Sequence, residues 1–526
     1  MLLLGEIVRR HARYRGERLA YVLDHADGQV ERVTYAEMNA GTNRLAHVLM
    51  TAGVGRGDRV AILAHNCIEY PWGYFACCKL GAIAVPVNTR YQRGEIQHAI
   101  DFAQARVVIV GLEFLADIEA LAAQGALPEV ERVFVLGATP KPGTSDSTSF
   151  EALDPLLSVS SDDEPEPDEA PTEHDAHVML YTSGTTGKPK GALLSQRTYI
   201  LQAGTTQALG GLTERDVGLS MFPMFHMGGW ATPLGYWAGG GSVVIMKKAD
   251  PTAMLRAVAR DRVTYLYAVP TVYESMLSAP DFAAHDLASL RLLGGGTAHM
   301  PREQIERIMG SFCVEQMMIM YGQTEAGPVT CLRAHDLAAK AGSVGTPVNH
   351  VDVSIVDENG VEVPDGTPGE IVVSSEFTML GYWRMPEATE AAFAGGFLHT
   401  GDQAVRDEDG FLFIVGRIKE MIKSGGESIF PAELEKLMHE HSDIHECAVL
   451  GVPDAHWGES VLAVIVRTPG ASLDEATVVQ WVKDRVASYK KPRHVRFIDE
   501  LPRTASTQQV QKTLLRERFT AGWQRS

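Results

Sequence analysis

Through the first 400 residues, segments with the hydrophobic spacing of amphipathic helices alternate with short apolar segments typical of buried strands. Thr34 to Met50 begins with a Thr-x-x-Glu capping box and predicts a helix, and Val60 to Ala64 is an apolar run typical of a buried strand. Glu69 to Leu80 predicts a second helix, ended by a glycine, and Ile83 to Val85 predicts the next strand. This alternation predicts an α/β fold in which helices cover both faces of parallel sheets.

The pattern changes after Gly416 to that of a smaller α+β unit. Pro431 to His439 predicts a helix, Ala448 to Val452 and Leu462 to Val466 predict strands, and the sequence near Asp474 to Ala487 predicts another helix. About a hundred residues is a normal size for a separate domain. We therefore expect a second, C-terminal domain.

An acidic stretch interrupts the first pattern between Ser161 and Asp175. Its sequence, SDDEPEPDEAPTEHD, combines many carboxylates with prolines, which disfavour regular structure. We expect an exposed linker that joins two subdomains.

Composition excludes several classes of protein. With 526 residues, 45% of them hydrophobic, the chain is expected to form two or more domains. A formal net charge of −19 argues against nucleic acid or an anionic membrane surface as the main partner. The six cysteines lack metal-ligand spacing, so we expect reduced thiols and a cytoplasmic location. Neither a signal peptide nor an apolar run of the ~20 residues needed for an integral membrane segment is expected.

The segment from Tyr181 to Ser195, YTSGTTGKPKGALLS, places a glycine, serine and threonine-rich turn with two lysines directly after an apolar strand. Glycine lets backbone N–H groups approach phosphate oxygens, and the hydroxyls and lysines add donors and charge. A Walker P-loop is excluded, because Thr182 stands where its first glycine belongs and Pro189 replaces its metal-binding hydroxyl. The segment predicts a polyphosphate-binding loop of another kind.

This segment resembles the signature of the adenylate-forming superfamily, which includes acyl-CoA synthetases, peptide synthetase adenylation domains and firefly luciferase. Further motifs similar to those of the family follow in order along the chain: MFPMFHMGG at 221–229, YGQTEAGP at 321–328, TGD at 400–402 and GRIKEMIKSGGESIFPAELE at 416–435. The resemblance implies a large N-terminal body, residues 1–418, of doubly wound sheets with helices plus a β-barrel-like subdomain. It also implies a small mobile α+β lid, residues 419–526.

The resemblance implies a two-step ligase that uses ATP, Mg²⁺ and coenzyme A. A carboxylic acid attacks the α-phosphate of ATP, pyrophosphate leaves, and the thiol of coenzyme A then attacks the acyl-AMP. Positioning and charge neutralisation dominate catalysis of such phosphoryl chemistry. The family's functional positions match particular residues here.

On this resemblance, Glu325 binds Mg²⁺, Tyr321 stacks on adenine, and Asp402 accepts hydrogen bonds from the ribose hydroxyls. The complete set expected to contact the nucleotide is Thr182, Ser183, Gly184, Thr185, Thr186, Gly187, Lys188, Gly295, Gly296, Thr297, Tyr321, Gly322, Thr324, Asp402 and Arg417. The set expected to form the hinge and the coenzyme A channel is Lys419, as pivot, with Lys423, Gly425, Gly426, Trp457, Lys491 and Arg493.

His226 matches the family residue that gates and positions the substrate carboxylate. The side chains and backbone expected around the acyl group are Met227, Gly228, Tyr267, Gly294, Ala326 and Gly327. Such a pocket is apolar, and it lacks the acidic residue that amino acid-activating domains use for an α-amino group. We expect a fatty or an aromatic acid.

The C-terminal motif departs from the family pattern. Similar enzymes carry a motif like LPRTATGKIQK, whose first lysine bridges the carboxylate and the α-phosphate, whereas Leu501 to Lys512 reads LPRTASTQQVQK and is one residue longer. Counting back from Lys512 places Gln509 at the lysine position, and losing that cation is expected to slow adenylation by roughly 10² to 10³. Three explanations stay open: Lys512 swings in, the enzyme tolerates glutamine, or the glutamine was introduced to trap a complex.

Two alternatives to a coenzyme A ligase also remain open at this stage. The acyl-AMP is delivered to the pantetheine of a carrier protein, or Gln509 marks an adenylation-impaired binding protein. A homodimer is compatible with the sequence, which does not fix the oligomeric state.

Overall fold

The computed structural model describes residues 3–137, 148–182, 189–297, 300–424, 427–454, 456–503 and 509–520. The chain divides into two compact units. The first comprises Met1–Ala341, Pro347–Asp352 and Ser374–Leu398, and the second comprises Gly342–Thr346, Val353–Val373 and the chain from His399 onward. The predicted α/β fold with a C-terminal α+β part is confirmed.

The first unit contains an eight-stranded sheet. Its strands, in spatial order, are Gly381–Tyr382, Lys190–Ser195, Ala176–Thr182, Ile83–Pro86, Arg59–Leu63, Val107–Gly111, Arg132–Leu136 and Ser149–Ala152. The six strands from Ala176–Thr182 onward are parallel, whereas Lys190–Ser195 pairs antiparallel with both of its neighbours. Buried aliphatic side chains, Val85 and Val108 among them, form the core beside this sheet.

A second sheet of the first unit carries most of the candidate site. Its strands, in spatial order, are Gly327–Leu332, Met317–Gln323, Leu292–Gly296, Tyr265–Tyr267, Val217–Ser220, Ser242–Met246, Leu19–Asp24 and Val30–Thr34. The first and last pairings are antiparallel and those between them are parallel. The short strand Thr346–Pro347 lies where the chain passes from the second unit to the first.

Helices accompany these strands as the alternating pattern predicts. The α-helices of the first unit are Gly5–Arg15, Tyr35–Thr51, Glu69–Leu80, Arg93–Ala103, Leu115–Ala123, Leu153–Val159, Gln196–Gly210, Met227–Gly239, Pro251–Asp261, Pro270–Leu277, Arg302–Phe312 and Pro386–Ala392, and its 3₁₀-helices are Leu112–Phe114, Phe282–Ala284 and Ala394–Gly396. The predicted capping box is confirmed, because Thr34 accepts from the backbone N–H of Glu37 and the Glu37 carboxylate accepts from that of Thr34. Gly81 ends the next predicted helix in a left-handed conformation, at φ 68°.

The expectation for the acidic stretch is wrong in one respect. Most of its side chains are exposed, but the strands before and after it, Ser149–Ala152 and Ala176–Thr182, belong to the same sheet, so it does not join two subdomains. Its Glu164 carboxylate accepts from the buried Lys79 ammonium at 2.8 Å, and Asn43 also accepts from that ammonium, at 2.6 Å. A buried cation needs such partners, which fixes the acidic stretch to the unit.

The second unit is built around two smaller sheets. The strands Val351–Val356, Gly369–Ser375, Leu398–Arg406 and Leu412–Arg417 form a four-stranded sheet. The other sheet contains Glu427–Ile429, Ile422–Ser424, Gly458–Arg467 and Ile444–Asp454, with His494–Phe497 paired to Gly458–Arg467. The helices are Pro431–His439, Glu475–Lys483 and Lys512–Thr520, with 3₁₀-helices Ile418–Glu420 and Ser488–Lys490.

The C-terminal part packs its own core. Buried Ile422, Leu434, Val449, Ile465 and Val478 come from both the strands and the helices of this part. The predicted helices and strands after Gly416 are confirmed, with strands that extend beyond the predicted ends. Among the described residues, no helix has the length and apolar character needed to cross a membrane.

Candidate active site

Four neighbouring parallel strands of the first unit bring predicted site residues to one edge of the sheet. These strands are Val217–Ser220, Tyr265–Tyr267, Leu292–Gly296 and Met317–Gln323. Their carboxyl ends carry or lead to His226, Tyr267, Gly294–Thr297 and Tyr321, and ligands of open α/β sheets bind at this edge. The structure therefore brings together the residues that the sequence assigns to the acyl group and adenine.

Three consecutive glycines form a wall at this edge because no side chain fits. A Cβ at Gly294 would lie 2.6 Å from the Tyr265 hydroxyl oxygen, and one at Gly296 would lie 2.5 Å from the Met320 carbonyl oxygen. Thr297 follows in a left-handed conformation at φ 65°, which is uncommon for a β-branched residue. The result is a flat backbone surface of the kind a purine ring stacks against.

His226 caps the helix Met227–Gly239. Its Nδ1 accepts from the backbone N–H of Gly228 at 3.2 Å, and burial lowers the pKa of its imidazole to about 4. The ring is therefore neutral at physiological pH, and because Nδ1 accepts, its proton is on Nε2. His226 presents a neutral N–H donor, which suits a substrate carboxylate or carbonyl.

The predicted acyl pocket includes a polar group that sequence reasoning missed. Gly327 has φ +69°, and a Cβ there would lie 2.5 Å from Gln202 Nε2 and 2.9 Å from Phe377 Cβ. The Gln202 side chain is 3% exposed, and its amide nitrogen has no hydrogen-bond partner among the described residues. A buried polar atom of this kind calls for a partner. Gln202 lies in a helix that no family motif covers, and its polarity within a buried helix face was the available signal.

Glycines and alanine shape the rest of this pocket. A Cβ at Gly228 would lie 3.3 Å from the Phe222 ring, so the start of the helix approaches that ring closely. Ala326 is fully buried, and Met227 is half-buried beside Gly228. Small residues therefore occupy several of the positions predicted to surround the acyl group.

The ends of the predicted phosphate loop face each other across a strand pair. Thr182 pairs with Lys190 at the last position of the antiparallel ladder. The loop residues themselves, Ser183, Gly184, Thr185, Thr186, Gly187 and Lys188, lie outside the described residues. Their role stays a prediction.

Glu325 lies in the turn between the strands Met317–Gln323 and Gly327–Leu332, next to Thr324. It is close to Thr182, the residue before the predicted phosphate loop. Its Oε1 accepts from the Thr182 hydroxyl at 2.8 Å and from the Tyr382 hydroxyl at 3.0 Å. Its Oε2 has no partner among the residues the structure describes. In the strand before this turn, a Cβ at Gly322 would overlap the Gly327 carbonyl oxygen.

These contacts fit a Mg²⁺ ligand. A carboxylate with one oxygen fixed by two hydroxyls keeps the other for an ion, and Mg²⁺ bound to ATP needs only one or two protein carboxylates. Glu325 would hold such an ion, which would supply positive charge near the phosphate oxygens.

In the second unit, Asp402 and Arg417 are direct partners across an antiparallel strand pair. The Asp402 carboxylate is buried, and Arg417 Nε lies 2.9 Å from its Oδ1. Gly401, at φ +71°, turns the backbone just before it. The structure thus brings together the two residues predicted to bind the ribose.

The residues predicted for coenzyme A lie partly together in the same unit. The Arg493 guanidinium carbon is 4.9 Å from the centroid of the Trp457 ring, which is 37% exposed. The strand that contains Lys423 pairs at Ser424 with Gly458, the residue after Trp457. Lys419 is exposed and Lys491 is half-buried, whereas Gly425 and Gly426 lie outside the described residues.

Lys512 is held by two carboxylates of its own unit. Its Nζ lies 2.9 Å from Glu420 Oε2 and 2.8 Å from Glu435 Oε1. Burial lowers the pKa of Lys512, but the two carboxylates outweigh it and the net shift is upward. Gln509 is exposed and precedes Val510, which bridges to Arg503.

The fold and these residues define a class: an enzyme that activates carboxylic acids with ATP. The chain belongs to the AMP-binding enzyme family, whose model matches residues 8–383, and the model of that family's C-terminal domain matches residues 433–508. It is an AMP-forming carboxylate–CoA ligase, which makes its thioester by way of an acyl-AMP from ATP and coenzyme A. The carrier-protein and binding-protein alternatives are not favoured.

Individual relatives cover nearly the whole chain. A feruloyl-CoA synthase of Amycolatopsis sp is 38% identical over 93% of this chain and 94% of its own length. The long-chain-fatty-acid–CoA ligase FadD13 of Mycobacterium tuberculosis is 34% identical over 98% of this chain and 99% of its own. The crystal structure of the anthranilate CoA ligase AuaEII in complex with anthranoyl-AMP has a TM-score of 0.87, at 28% identity and with 98% and 97% of the two chains covered.

Proposed function

We propose that this ligase activates an aromatic carboxylic acid whose ring carries a hydrogen-bond acceptor, such as a hydroxyl or methoxy group. The main support for this proposal is the Gln202 amide. It is buried against Gly327, and its nitrogen has no hydrogen-bond partner among the described residues. A fatty acyl chain would leave that amide unpaired, at a cost of about 1 to 3 kcal/mol. A relative named for feruloyl-CoA, at 38% identity, supports the same substrate class.

The nucleotide half of the proposal gives each predicted residue one role. His226, neutral and with its Nε2 proton free to donate, orients the substrate carboxylate. Glu325 offers Oε2 to Mg²⁺, while Tyr321 and Gly295–Thr297 hold adenine. Asp402 and Arg417 hold the ribose, since a carboxylate accepts hydrogen bonds from sugar hydroxyls and a guanidinium donates them.

The thioester half assigns the coenzyme A channel to the C-terminal part. Trp457 and Arg493 form one exposed aromatic and cationic surface, which suits a pantetheine arm and its phosphates. Lys423 and Lys491 add charge, and residues 419–526 act as a mobile lid with Lys419 as its pivot. The buried, reduced Cys77 and Cys78 support a cytoplasmic enzyme.

The test compares matched acids. The unmodified enzyme and Gln202→Leu are assayed for coenzyme A-dependent AMP release with 4-hydroxycinnamate, cinnamate and dodecanoate. We expect kcat/KM for the hydroxylated acid to exceed that for cinnamate about tenfold, and Gln202→Leu to abolish this preference.

Gln207→Leu is the matched control. Gln207 lies in the same helix, but its amide already donates to the Leu212 carbonyl oxygen at 3.3 Å. This variant is expected to keep the preference for 4-hydroxycinnamate. A higher kcat/KM for dodecanoate than for both aromatic acids, in the unmodified enzyme, would contradict the proposed substrate class.

A further inference from the structure

Tyr382 connects the carboxylate of Glu325 to both ends of the predicted phosphate loop. It lies in the two-residue strand Gly381–Tyr382, at the edge of the eight-stranded sheet, where it pairs with Ala192. The backbone N–H of Trp383 donates to the Gly191 carbonyl oxygen at 2.8 Å. The Tyr382 backbone is therefore fixed beside the strand that leaves the loop.

The first connection runs through the Tyr382 hydroxyl. It donates to Glu325 Oε1, the oxygen that also accepts from Thr182 at the start of the loop. The backbone of the same segment holds Glu325 as well, because the N–H of Met379 donates to the Glu325 carbonyl oxygen at 2.8 Å. Both the main chain and the side chain of Glu325 are thus held by residues 379–382.

The second connection runs through the Tyr382 ring. Lys190 Nζ, at the far end of the loop, lies 4.7 Å from the ring centroid. A cation over an aromatic ring at this distance is attracted to it. Tyr382 therefore contacts Lys190, two residues after the loop, and is connected through Glu325 to Thr182, the residue before it.

We propose that Tyr382 is a positioning residue for the divalent cation that accompanies the nucleoside triphosphate. The torsion that rotates a glutamate carboxylate is broad and roughly two-fold, so an unsupported Glu325 samples many orientations. Two hydroxyl donors on Oε1 select one orientation and leave Oε2 for the ion. Partners that orient metal ligands in this way typically change metal affinity 10- to 100-fold when they are removed.

This inference rests on the proposed role of Glu325 as the metal ligand. The test variant is Tyr382→Phe, which keeps the ring beneath Lys190 and removes only the hydroxyl. Binding of Mn²⁺ to the enzyme saturated with α,β-methylene-ATP is measured by electron paramagnetic resonance. We expect the dissociation constant for Mn²⁺ to rise about tenfold, with binding of the analogue in EDTA unchanged.

Two further variants test whether the hydroxyls act on one oxygen. Thr182→Val removes the other donor, and the Tyr382→Phe/Thr182→Val pair is expected to weaken Mn²⁺ binding by a factor different from the product of the single effects. Tyr35→Phe is the control, because it removes a hydroxyl that donates to the Gly241 carbonyl oxygen at 2.6 Å and touches no part of this site. It is expected to leave Mn²⁺ binding unchanged.

Glu325→Gln distinguishes the proposed metal-binding role of Glu325 from the proposed positioning role of Tyr382. If Glu325→Gln weakens Mn²⁺ binding and Tyr382→Phe does not, the positioning role is overturned and the metal role of Glu325 stands. If neither variant weakens it, both are overturned. Equal weakening in Tyr35→Phe and Tyr382→Phe would also overturn the positioning role, because it would indicate a general loss of stability.

Discussion

Replacing Gln509 by lysine is expected to accelerate adenylation. The family motif places a lysine where this chain has Gln509, and a charged donor at the α-phosphate is preorganised for the transition state in a way that an amide is not. Gln509 is exposed, so the longer side chain displaces no core packing. We expect the rate of ATP–pyrophosphate exchange in Gln509→Lys to rise by about 10² to 10³.

Two carboxylates would have to release Lys512 before it could supply this charge. Its side chain is 21% exposed, and it contacts Glu420 and Glu435 at 2.9 and 2.8 Å. Each charged contact contributes on the order of 1 to 1.5 kcal/mol at such partly buried positions, so releasing Lys512 costs about 2 to 3 kcal/mol. That corresponds to a released population of roughly 1 in 30 to 1 in 150.

The assay is ATP–pyrophosphate exchange with the preferred acid, together with thioester formation from chemically prepared acyl-AMP. The second reaction bypasses adenylation and is expected to be unchanged in Gln509→Lys. Gln508→Lys is the matched control, because it adds the same charge one position earlier. Exchange rates within threefold of each other for Gln509→Lys and the unmodified enzyme would refute the reasoning, as would a rate gain in Gln508→Lys alone.

Two further predictions concern the acyl pocket and acid stability. Gly327→Ala, with φ +69° and a new Cβ 2.5 Å from Gln202 Nε2, is expected to lose about 1 to 3 kcal/mol of stability and to raise the KM for the acid more than that for ATP. The control Gly310→Ala adds its Cβ in open space on a helix and is expected to melt at the same temperature as the unmodified enzyme or slightly higher. Burial lowers the pKa of His177 to about 3, so below pH 6.5 the unfolded chain takes up a proton that the folded chain does not, and stability falls by about 2 kcal/mol between pH 7.5 and 5. Melting curves at these two pH values should show a smaller loss of stability for His177→Gln than for the unmodified enzyme. An equal loss would contradict the attribution of the pH dependence to His177.

The sequence predicted most of what is local in the chain. Thr34 and Glu37 start their helix because a capping box needs only residues three positions apart, and Gly81 ends the next helix for an equally local reason. The motif residues His226 and Asp402 were identified by their neighbours in sequence. Their class of chemistry followed from the family, which the chain matches over most of its length.

The position of the acidic stretch depends on a contact between residues that are distant in the sequence. Its charge and prolines correctly predicted exposure, but its place in the fold depends on Lys79, a residue 85 positions from Glu164. A lysine within a helix is normally a surface charge, and only the packed structure buries this one beneath asparagines and a carboxylate. The spacing of hydrophobic and polar residues does not predict the pairing of Lys79 with Glu164.

The sequence by itself determined the order of helices and strands, the family and the residues of its motifs, because periodicity, capping and spacing are properties of neighbouring positions. The tertiary structure alone decided that Gln202 lies against Gly327, that Tyr382 holds Glu325, and that Lys512 is bound between two carboxylates. Each of these contacts joins residues that are far apart in the chain, and it exists only because sheet pairing and helix packing bring them together.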